Sequence, residues 1–355
     1  VQGMLVADTA AVTTTAALVG LWHNECVRSM SDKLSHVEDV QWFKSNIDAI
    51  SAETFGNTTM VGARPIFANF DQLNFSDFGD DDDGSGRFGE EQSSAGLENL
   101  GTVASFNATQ PGFRQPDATG QPQHRAYQQC HGDSLRAVLM TAAARLSQST
   151  TTRQSSRHNV SRLVFFDSAV DHIVRICRVV GTPRGSALLV GVGGSGKQTL
   201  TRLAAFLQGH RFFQPVISSG YDTLSWLDDL RTQYVAAATQ QPVVFLLTDA
   251  EVKRESFLEQ VNAALTSGDV PGLFGGDDRD NALAATRVVA KQLSRKLYED
   301  SEEWLWKYFL GRARDNLHFV VCLSPEGDSF RSRARMFPGI VDSCTVIYHF
   351  PWPRP

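Results

Sequence analysis

The sequence has few cysteines, no long apolar run and no excess of positive charge, and each absence excludes a class of protein. Its 355 residues contain five cysteines and no Cys-x-x-Cys pair. This excludes a regular disulfide framework and a ribbon-type zinc site, and it favours a reducing intracellular compartment. No apolar segment reaches the roughly 18 residues of a membrane span. The net charge of -6 argues against a general nucleic-acid binder, which would carry a basic face.

The composition changes twice along the chain. Residues 1–75 carry apolar side chains at helical spacing and predict a mainly helical segment. Residues 76–126 include the acidic run Asp80–Asp83 and are rich in Gly, Ser, Gln and Pro, a composition that buries too little apolar surface to fold by itself. We predict a low-complexity insertion with a solvated acidic tip. The run lacks the alternating ligands and final glutamate of a calcium-binding loop.

Residues 127–355 predict an α/β fold. Short apolar runs alternate with amphipathic helical stretches, such as the one that ends before Gly181. The runs lie at 187–190, 216–218, 243–247, 319–323 and 345–349. Uninterrupted Val, Leu, Ile and Phe residues are typical of strands buried on both faces, as in a parallel sheet covered by helices.

A glycine-rich segment between a predicted strand and a predicted helix carries the clearest functional signal. Residues 191–197 read GVGGSGK, with Gly191 and the Gly196-Lys197 pair at P-loop spacing. Glycines let successive backbone amides turn toward an anion, the helix amino terminus faces the same place, and Lys197 reaches the β- and γ-phosphates. The segment predicts a nucleotide phosphate site; the alternative is a structural turn that happens to contain a lysine. The candidate binding residues are Gly191, Gly193, Gly194, Ser195, Gly196, Lys197, Gln198 and Thr199.

The position after the lysine departs from the usual P-loop. It normally supplies a Ser or Thr hydroxyl to Mg²⁺, and here it is Gln198. Thr199 comes one residue later, which on a helix is a rotation of about 100°, so it cannot simply replace that hydroxyl. Mg²⁺ is therefore a possible cofactor, with Thr199 and Asp249 as its candidate ligands.

A second apolar strand ends in an incomplete acid pair. Residues 243–247 are followed by Thr248 and Asp249, where P-loop ATPases carry one acid for the metal and another for the attacking water. If Thr248 takes the metal position, Asp249 is the water-activating acid. If Asp249 holds the metal, Ala250 follows and leaves no acid for the water. Either way the pair is incomplete. Asp249 is the candidate for both the catalytic and the metal-binding role, and Glu251 is expected to be solvated.

The third strand, 317–323, is followed by a polar residue and three arginines. As the middle strand of such a sheet it would present Ser324 to the γ-phosphate. Arg331 and Arg335 share a helical face, and Arg333 points elsewhere. Arg331 and Arg333 are candidates for contacting phosphate, in this chain or in a neighbouring module. The alternative is ion pairing with acidic loops.

In this order the motifs resemble the dynein heavy chain family, and specifically the fourth AAA+ module of an axonemal motor ring. The matching stretches are LLVGVGGSGKQTLTRLAA (188–205), FLLTD (245–249), ESFLE (255–259), LSPEGDSFR (323–331) and RMFP (335–338). Residues 21–28, LWHNECVR, are similar to the end of the third module, and residues 167–180 to the helix that leads into the fourth. The insertion at 76–126 is outside the resemblance.

The resemblance implies three domains and a P-loop AAA+ fold. Residues 1–75 would be the helical end of the preceding module, 76–126 the insertion, and 127–355 the large subdomain of the fourth module, with the P-loop strand central. Because the sequence stops in a Pro/Trp cluster at Pro355, we expect a fragment whose lid subdomain and stalk coiled coil would follow. Gln after the P-loop lysine and Thr-Asp at the strand end also look typical of axonemal fourth modules.

The resemblance also implies a function. The parent would be a minus-end-directed microtubule motor of the cytoplasm and cytoskeleton, in the axoneme of cilia and flagella. Its partners would be neighbouring AAA+ modules, light and intermediate chains and microtubules, with no nucleic acid and no membrane. In such rings the first module is the principal ATPase, and the fourth is regulatory or structural. Three hypotheses stay open: a module that binds ATP or ADP and hydrolyses slowly or not at all, a competent ATPase completed by its lid and neighbour, and a nucleotide-free scaffold.

Overall fold

The structure, a computed structural model, describes several separate parts of the chain. They are residues 12, 14–31, 34, 36–55, 66–70, 128–130, 132–149, 164–293 and 298–350. The predicted insertion at 76–126 lies outside the described residues. None of the helices within these ranges combines the length and apolarity that crossing a bilayer requires.

The described residues between 12 and 149 form helices and one short two-stranded sheet. Helices α1 (Thr15–Met30) and α2 (Val37–Phe55) are followed by strand β1 (Ile66–Ala68), which pairs antiparallel with β2 (Gln128–Cys130). Helix α3 (Gly132–Ser149) comes next. Side chains of β1, β2 and α3 pack in one apolar core with the helices that cover the main sheet.

The main sheet has five parallel strands in the order β4-β5-β6-β3-β7. Its strands are β3 (Ala187–Gly191), β4 (Arg211–Phe213), β5 (Val243–Thr248), β6 (Leu317–Leu323) and β7 (Thr345–His349). The predicted parallel α/β architecture is therefore confirmed. The middle strand is β6, as predicted, and the P-loop strand β3 lies inside the sheet between β6 and β7 rather than at its centre.

Helices lie between the strands along the chain. They are α4 (Asp167–Val180), α5 (Lys197–Gln208), α6 (Thr223–Thr239), α7 (Glu255–Thr266), α8 (Asp277–Leu293), α9 (Glu302–Asn316), α10 (Ser329–Met336) and α11 (Pro338–Ser343). Alternate residues of a strand enter opposite cores: Leu189 packs with α4 and α5, whereas Leu188 and Val190 pack with α6 and α7. This two-sided burial explains the uninterrupted apolar runs in the sequence.

One predicted strand is wrong. Residues 216–218 form no strand, and Val216 is 82% exposed. The strand lies earlier, at Arg211–Phe213, where it pairs with β5 at the edge of the sheet. An edge strand is only half covered, so its sequence need not be a continuous apolar run, and the signal in the sequence is correspondingly weak.

The central strands should dominate the stability of the sheet. We expect Leu246→Ala, at a side chain with 0% exposure, to lower the free energy of unfolding by about 2–5 kcal/mol because it leaves a cavity in the core. Leu224→Ala is the matched control, since Leu224 is 73% exposed and should cost less than about 0.5 kcal/mol. Urea unfolding followed by circular dichroism measures both. Equal costs for the two variants would contradict the burial of Leu246 in the core.

Candidate nucleotide-binding site

The glycine loop after β3 forms an open cradle at the carboxyl edge of the sheet. Gly194 and Gly196 both have φ of 78°, in the left-handed region that glycine tolerates and other residues avoid. A Cβ atom added to Gly193 or Gly194 would meet no atom within 4 Å, so the loop borders free space. Helix α5 starts directly after Gly196, and its amino terminus faces the same loop. This backbone fits the phosphates of a nucleotide.

Gly191 is constrained for a different reason. A Cβ atom there would lie 2.7 Å from the Cβ of His349 and 2.8 Å from its carbonyl oxygen. Gly191 and His349 are register partners on β3 and β7. The first glycine of the loop is thus required for the close approach of two strands.

Lys197, the first residue of α5, points across its own loop. Its Nζ donates to the carbonyl oxygens of Gly191 (2.5 Å) and Val192 (2.8 Å) and to the Oγ of Ser195 (3.0 Å). Burial lowers the pKa of the ammonium group, and the nearby Cys322 and Asp249 oppose that shift. The ammonium therefore donates to three oxygens of the loop, and phosphate oxygens would replace these acceptors when a nucleotide binds.

The remaining predicted loop residues differ in their surroundings. Ser195 is buried, and its hydroxyl donates to the carbonyl of Val192 at 2.9 Å. Gln198 and Thr199 are partly exposed in the first turn of α5. Thr201, which lies outside the P-loop motif, is fully buried and donates to the Lys197 carbonyl at 2.8 Å. The hydroxyl of Thr201 thus holds the first turn of α5 from its buried side.

Asp249 and Ser324 meet at the ends of β5 and β6. The backbone N–H of Ser324 donates to Oδ2 of Asp249 at 2.7 Å, and the N–H of Asp249 donates to the Cys322 carbonyl at 3.2 Å. The Ser324 hydroxyl accepts from the N–H of Glu326 at 3.4 Å. It is thus the amide of Ser324, and not its hydroxyl, that contacts the acid.

Arg333 reaches the same carboxylate from α10. Its Nη1 donates to Oδ1 of Asp249 at 2.7 Å, and its Nε donates to Oε1 of Glu255 at 3.1 Å. The Arg333 side chain is 15% exposed, whereas Arg331 and Arg335 are exposed. Of the two alternatives that the sequence left open for this arginine, the structure shows the ion pair with acidic residues.

Glu251 contradicts the expectation that it is solvated. It is only 9% exposed, and its carboxylate accepts from the N–H (2.7 Å) and hydroxyl (2.5 Å) of Thr248 and from Nε2 of Gln214 (3.0 Å). The hydroxyl of Thr248 is therefore directed at Glu251. The Thr-x-x-Glu spacing, which is typical of a capping box, was the signal in the sequence that could have identified this contact.

Two buried histidines lie behind the loop. His349, at the end of β7, stacks on His172 of α4 with ring centroids 4.1 Å apart, and the residues are 3% and 6% exposed. Burial lowers the pKa of His349 to about 2, aided by the nearby His172 and Lys197, and burial lowers the pKa of His172 to about 3. Both rings are thus neutral at physiological pH. No pattern in the sequence indicates this pair, because its members are far apart in the chain.

The arrangement fits phosphate better than it fits a metal ion. Both carboxylate oxygens of Asp249 accept hydrogen bonds, and the Thr248 hydroxyl is bound to Glu251. Within the described parts of the chain, no three His, Cys, Asp or Glu residues cluster as metal ligands. As the residues stand, the cradle suits an anion, and the charge of Asp249, a predicted ligand of Mg²⁺, is already compensated by Arg333.

Comparison with known proteins gives a consistent result. A family model described as the P-loop containing dynein motor region D4 matches residues 162–355. Dynein axonemal heavy chain 5 of Rattus norvegicus is 34% identical over 358 residues, which cover 99% of this chain and 9% of the rat protein. Dynein axonemal heavy chain 6 of Homo sapiens is 46% identical over 194 residues, or 54% of this chain and 5% of the human protein.

A more distant organism supplies a similar match. The dynein-1-alpha heavy chain of the flagellar inner arm I1 complex of Chlamydomonas reinhardtii is 30% identical over 356 residues, which cover 99% of this chain and 7% of the algal protein. The chain thus spans less than a tenth of the length of these relatives.

The histidine pair predicts an acid-sensitive fold. Because folding lowers both pKa values below the usual 6.5, the unfolded state takes up more protons as the pH falls, and stability is lost between about pH 6.5 and pH 3. We expect His349→Phe, which keeps a ring on His172, to reduce the loss between pH 7 and pH 5 by about 2 kcal/mol. His318, whose pKa burial lowers to about 4, contributes equally to both chains. Urea unfolding at each pH measures this.

His36→Phe is the control for this experiment, since His36 is an exposed histidine outside the site. It should leave the pH dependence of unfolding unchanged. An unchanged pH dependence in His349→Phe would show that His349 becomes protonated in the folded chain without cost.

Proposed function

The chain belongs to the axonemal dynein heavy chain family, and on that premise we propose that it is a segment of a motor heavy chain containing the large subdomain of the fourth AAA+ module. In this proposal residues 127–355 form that subdomain, residues 1–75 end the preceding module, and residues 76–126 are an insertion. The family and its P-loop imply binding of ATP or ADP. We further propose that the module is regulatory and hydrolyses nucleotide slowly or not at all.

One observation carries the proposal of nucleotide binding. The loop at 191–197 combines two glycines bordering free space, a helix amino terminus and the Nζ of Lys197 within 3.0 Å of three loop oxygens. Each of these features attracts a polyphosphate, and together they form a cationic cradle built mainly of backbone amides. In this arrangement the chain's own residues bind and orient the phosphates.

The strand ends support slow hydrolysis. An attacking water needs a base beside the γ-phosphate, and Ala250 occupies the position after Asp249. Asp249 itself is ion-paired with Arg333, and the carboxylate of Glu251 is occupied by Thr248 and Gln214. The acids nearest the cradle are thus held by hydrogen bonds, which favours retention of nucleotide over rapid turnover.

A competent ATPase is the second candidate function. It is favoured by the exposure of Arg331. An exposed arginine can contact the phosphates bound by a neighbouring module, and another neighbour would supply an equivalent arginine to the phosphates bound here. A nucleotide-free scaffold is the third, since the Lys197 ammonium already has oxygen partners in its own loop. The two experiments below separate the three candidates.

The names of the relatives support the proposed location, and the family supports the proposed partners. Several are named axonemal, and one belongs to a flagellar inner arm. We propose that the parent protein acts as a minus-end-directed microtubule motor of the cytoskeleton in the axoneme of cilia or flagella. Neighbouring AAA+ modules would contact this segment directly, and light chains, intermediate chains and microtubules would bind elsewhere on the parent protein.

Nucleotide should stabilise the fold through Lys197. We expect ADP or ATP at a hundredfold excess over Kd to raise the free energy of unfolding by about 2.7 kcal/mol. Lys197→Ala should abolish most of this gain, because it removes the ammonium over the cradle. The control is Lys307→Ala, at an exposed lysine of α9. Thermal unfolding with and without nucleotide measures the shift, and no shift in the unaltered chain would support the scaffold.

Turnover separates binding from catalysis. In the intact heavy chain, we expect Asp249→Asn to leave the ATPase rate unchanged within about twofold, since an acid held by Arg333 contributes little to the chemistry. Single-turnover hydrolysis with the other nucleotide sites blocked measures the rate of this module. A fall of about tenfold or more would instead favour the competent ATPase, in which Asp249 acts on the metal or the water.

A further inference from the structure

We propose that Arg333 is a built-in counter-ion for Asp249, so that this site binds nucleotide with little contribution from a divalent cation. The inference rests on the proposed nucleotide binding and adds which group neutralises the acid at the end of β5. It makes Arg333 a positioning residue that acts through Asp249 and not through the nucleotide.

The hydrogen bonds of Asp249 carry the argument. Oδ1 accepts from Nη1 of Arg333 at 2.7 Å and Oδ2 accepts from the N–H of Ser324 at 2.7 Å. A divalent cation bound to this carboxylate would have to share an oxygen with a guanidinium or an amide. Each oxygen keeps a second lone pair, but the guanidinium already compensates the charge of the carboxylate, so the cation would meet a positive charge beside its own ligand.

The guanidinium is held in place independently of Asp249. Its Nε donates to Glu255, the first residue of α7, at 3.1 Å, and its side chain is 15% exposed compared with 42% for Asp249. Arg333 therefore joins α10 to both the end of β5 and the start of α7. A planar guanidinium with two fixed carboxylate partners loses little further freedom when it binds them, which favours the pair over a mobile surface contact.

The other positions expected of a metal site point the same way. Gln198 stands where the P-loop usually offers a hydroxyl, and the Thr248 hydroxyl donates to Glu251 at 2.5 Å. These positions would thus offer a cation only neutral oxygens, those of Gln198 and Thr248, beside a carboxylate that Arg333 already compensates. Removing Arg333 would free Asp249, and only then would a divalent cation find an uncompensated acid beside the phosphates.

The test is the dissociation constant of ADP for the full 355-residue chain, measured by calorimetry with Mg²⁺ and with EDTA. In the unaltered chain we expect the ratio of the dissociation constant in EDTA to that in Mg²⁺ to be below about threefold, since the cation adds no strong contact to the protein. In Arg333→Gln we expect Mg²⁺ to tighten binding by about tenfold or more, the value of one charged contact. Arg335→Gln removes the same charge from an exposed position of α10 and should retain the ratio of the unaltered chain.

A second measurement does not depend on any variant. Amide hydrogen exchange of residues 329–336 should be the same for the ADP-bound chain in Mg²⁺ and in EDTA, because α10 stays bound to Asp249 in both. Faster exchange in Mg²⁺ would show that the cation displaces Arg333, and it would overturn the proposal even if Arg333→Gln failed to fold. Arg333→Lys, which keeps the positive charge, should retain a ratio close to that of the unaltered chain.

The outcomes distinguish this inference from the proposed function. Tight ADP binding with a large Mg²⁺ effect that is equal in the unaltered chain and in Arg333→Gln would overturn the role of Arg333 and leave nucleotide binding intact. Absence of ADP binding under both conditions, with no effect of Lys197→Ala on stability, would overturn the proposed function and this inference with it.

Discussion

Burial of the five-stranded sheet on both faces is the constraint on which the rest of this structure depends. Strands β3, β5 and β6 are buried along their whole length, so polar chemistry is confined to the points where they end. Because the strands run parallel, those ends lie on one edge. The cradle after Gly191, the acid after Thr248 and the amide of Ser324 therefore come together through topology alone.

The sequence was sufficient for much of this. Continuous apolar runs predicted the buried strands, and the glycine spacing before Lys197 predicted the loop and the helix that follows it, because both signals are local. The strand expected at 216–218 failed because the true strand, Arg211–Phe213, is half covered at the edge of the sheet. Local pattern identifies what is fully buried more reliably than what is partly covered.

What the sequence could not show are contacts between distant positions. The pairing of Arg333 with Asp249 spans 84 residues of sequence, and the stacking of His349 on His172 joins the last strand to a helix that precedes the sheet. Neither residue type nor spacing indicates such a partner. Even Glu251, only three residues from Thr248, was misjudged, since its burial depends on Gln214, which lies beyond a different strand.

The helix that bears Arg333 differs from the others around the sheet. None of the eight residues of α10 is fully buried, and its attachment combines the partly buried Phe330 with the two ion pairs of Arg333. Electrostatic attachment of this kind weakens as ionic strength rises, whereas apolar packing does not. The ion pairs of α10 are thus the part of this site that responds to salt, whereas the sheet that carries the glycine loop is held by apolar packing.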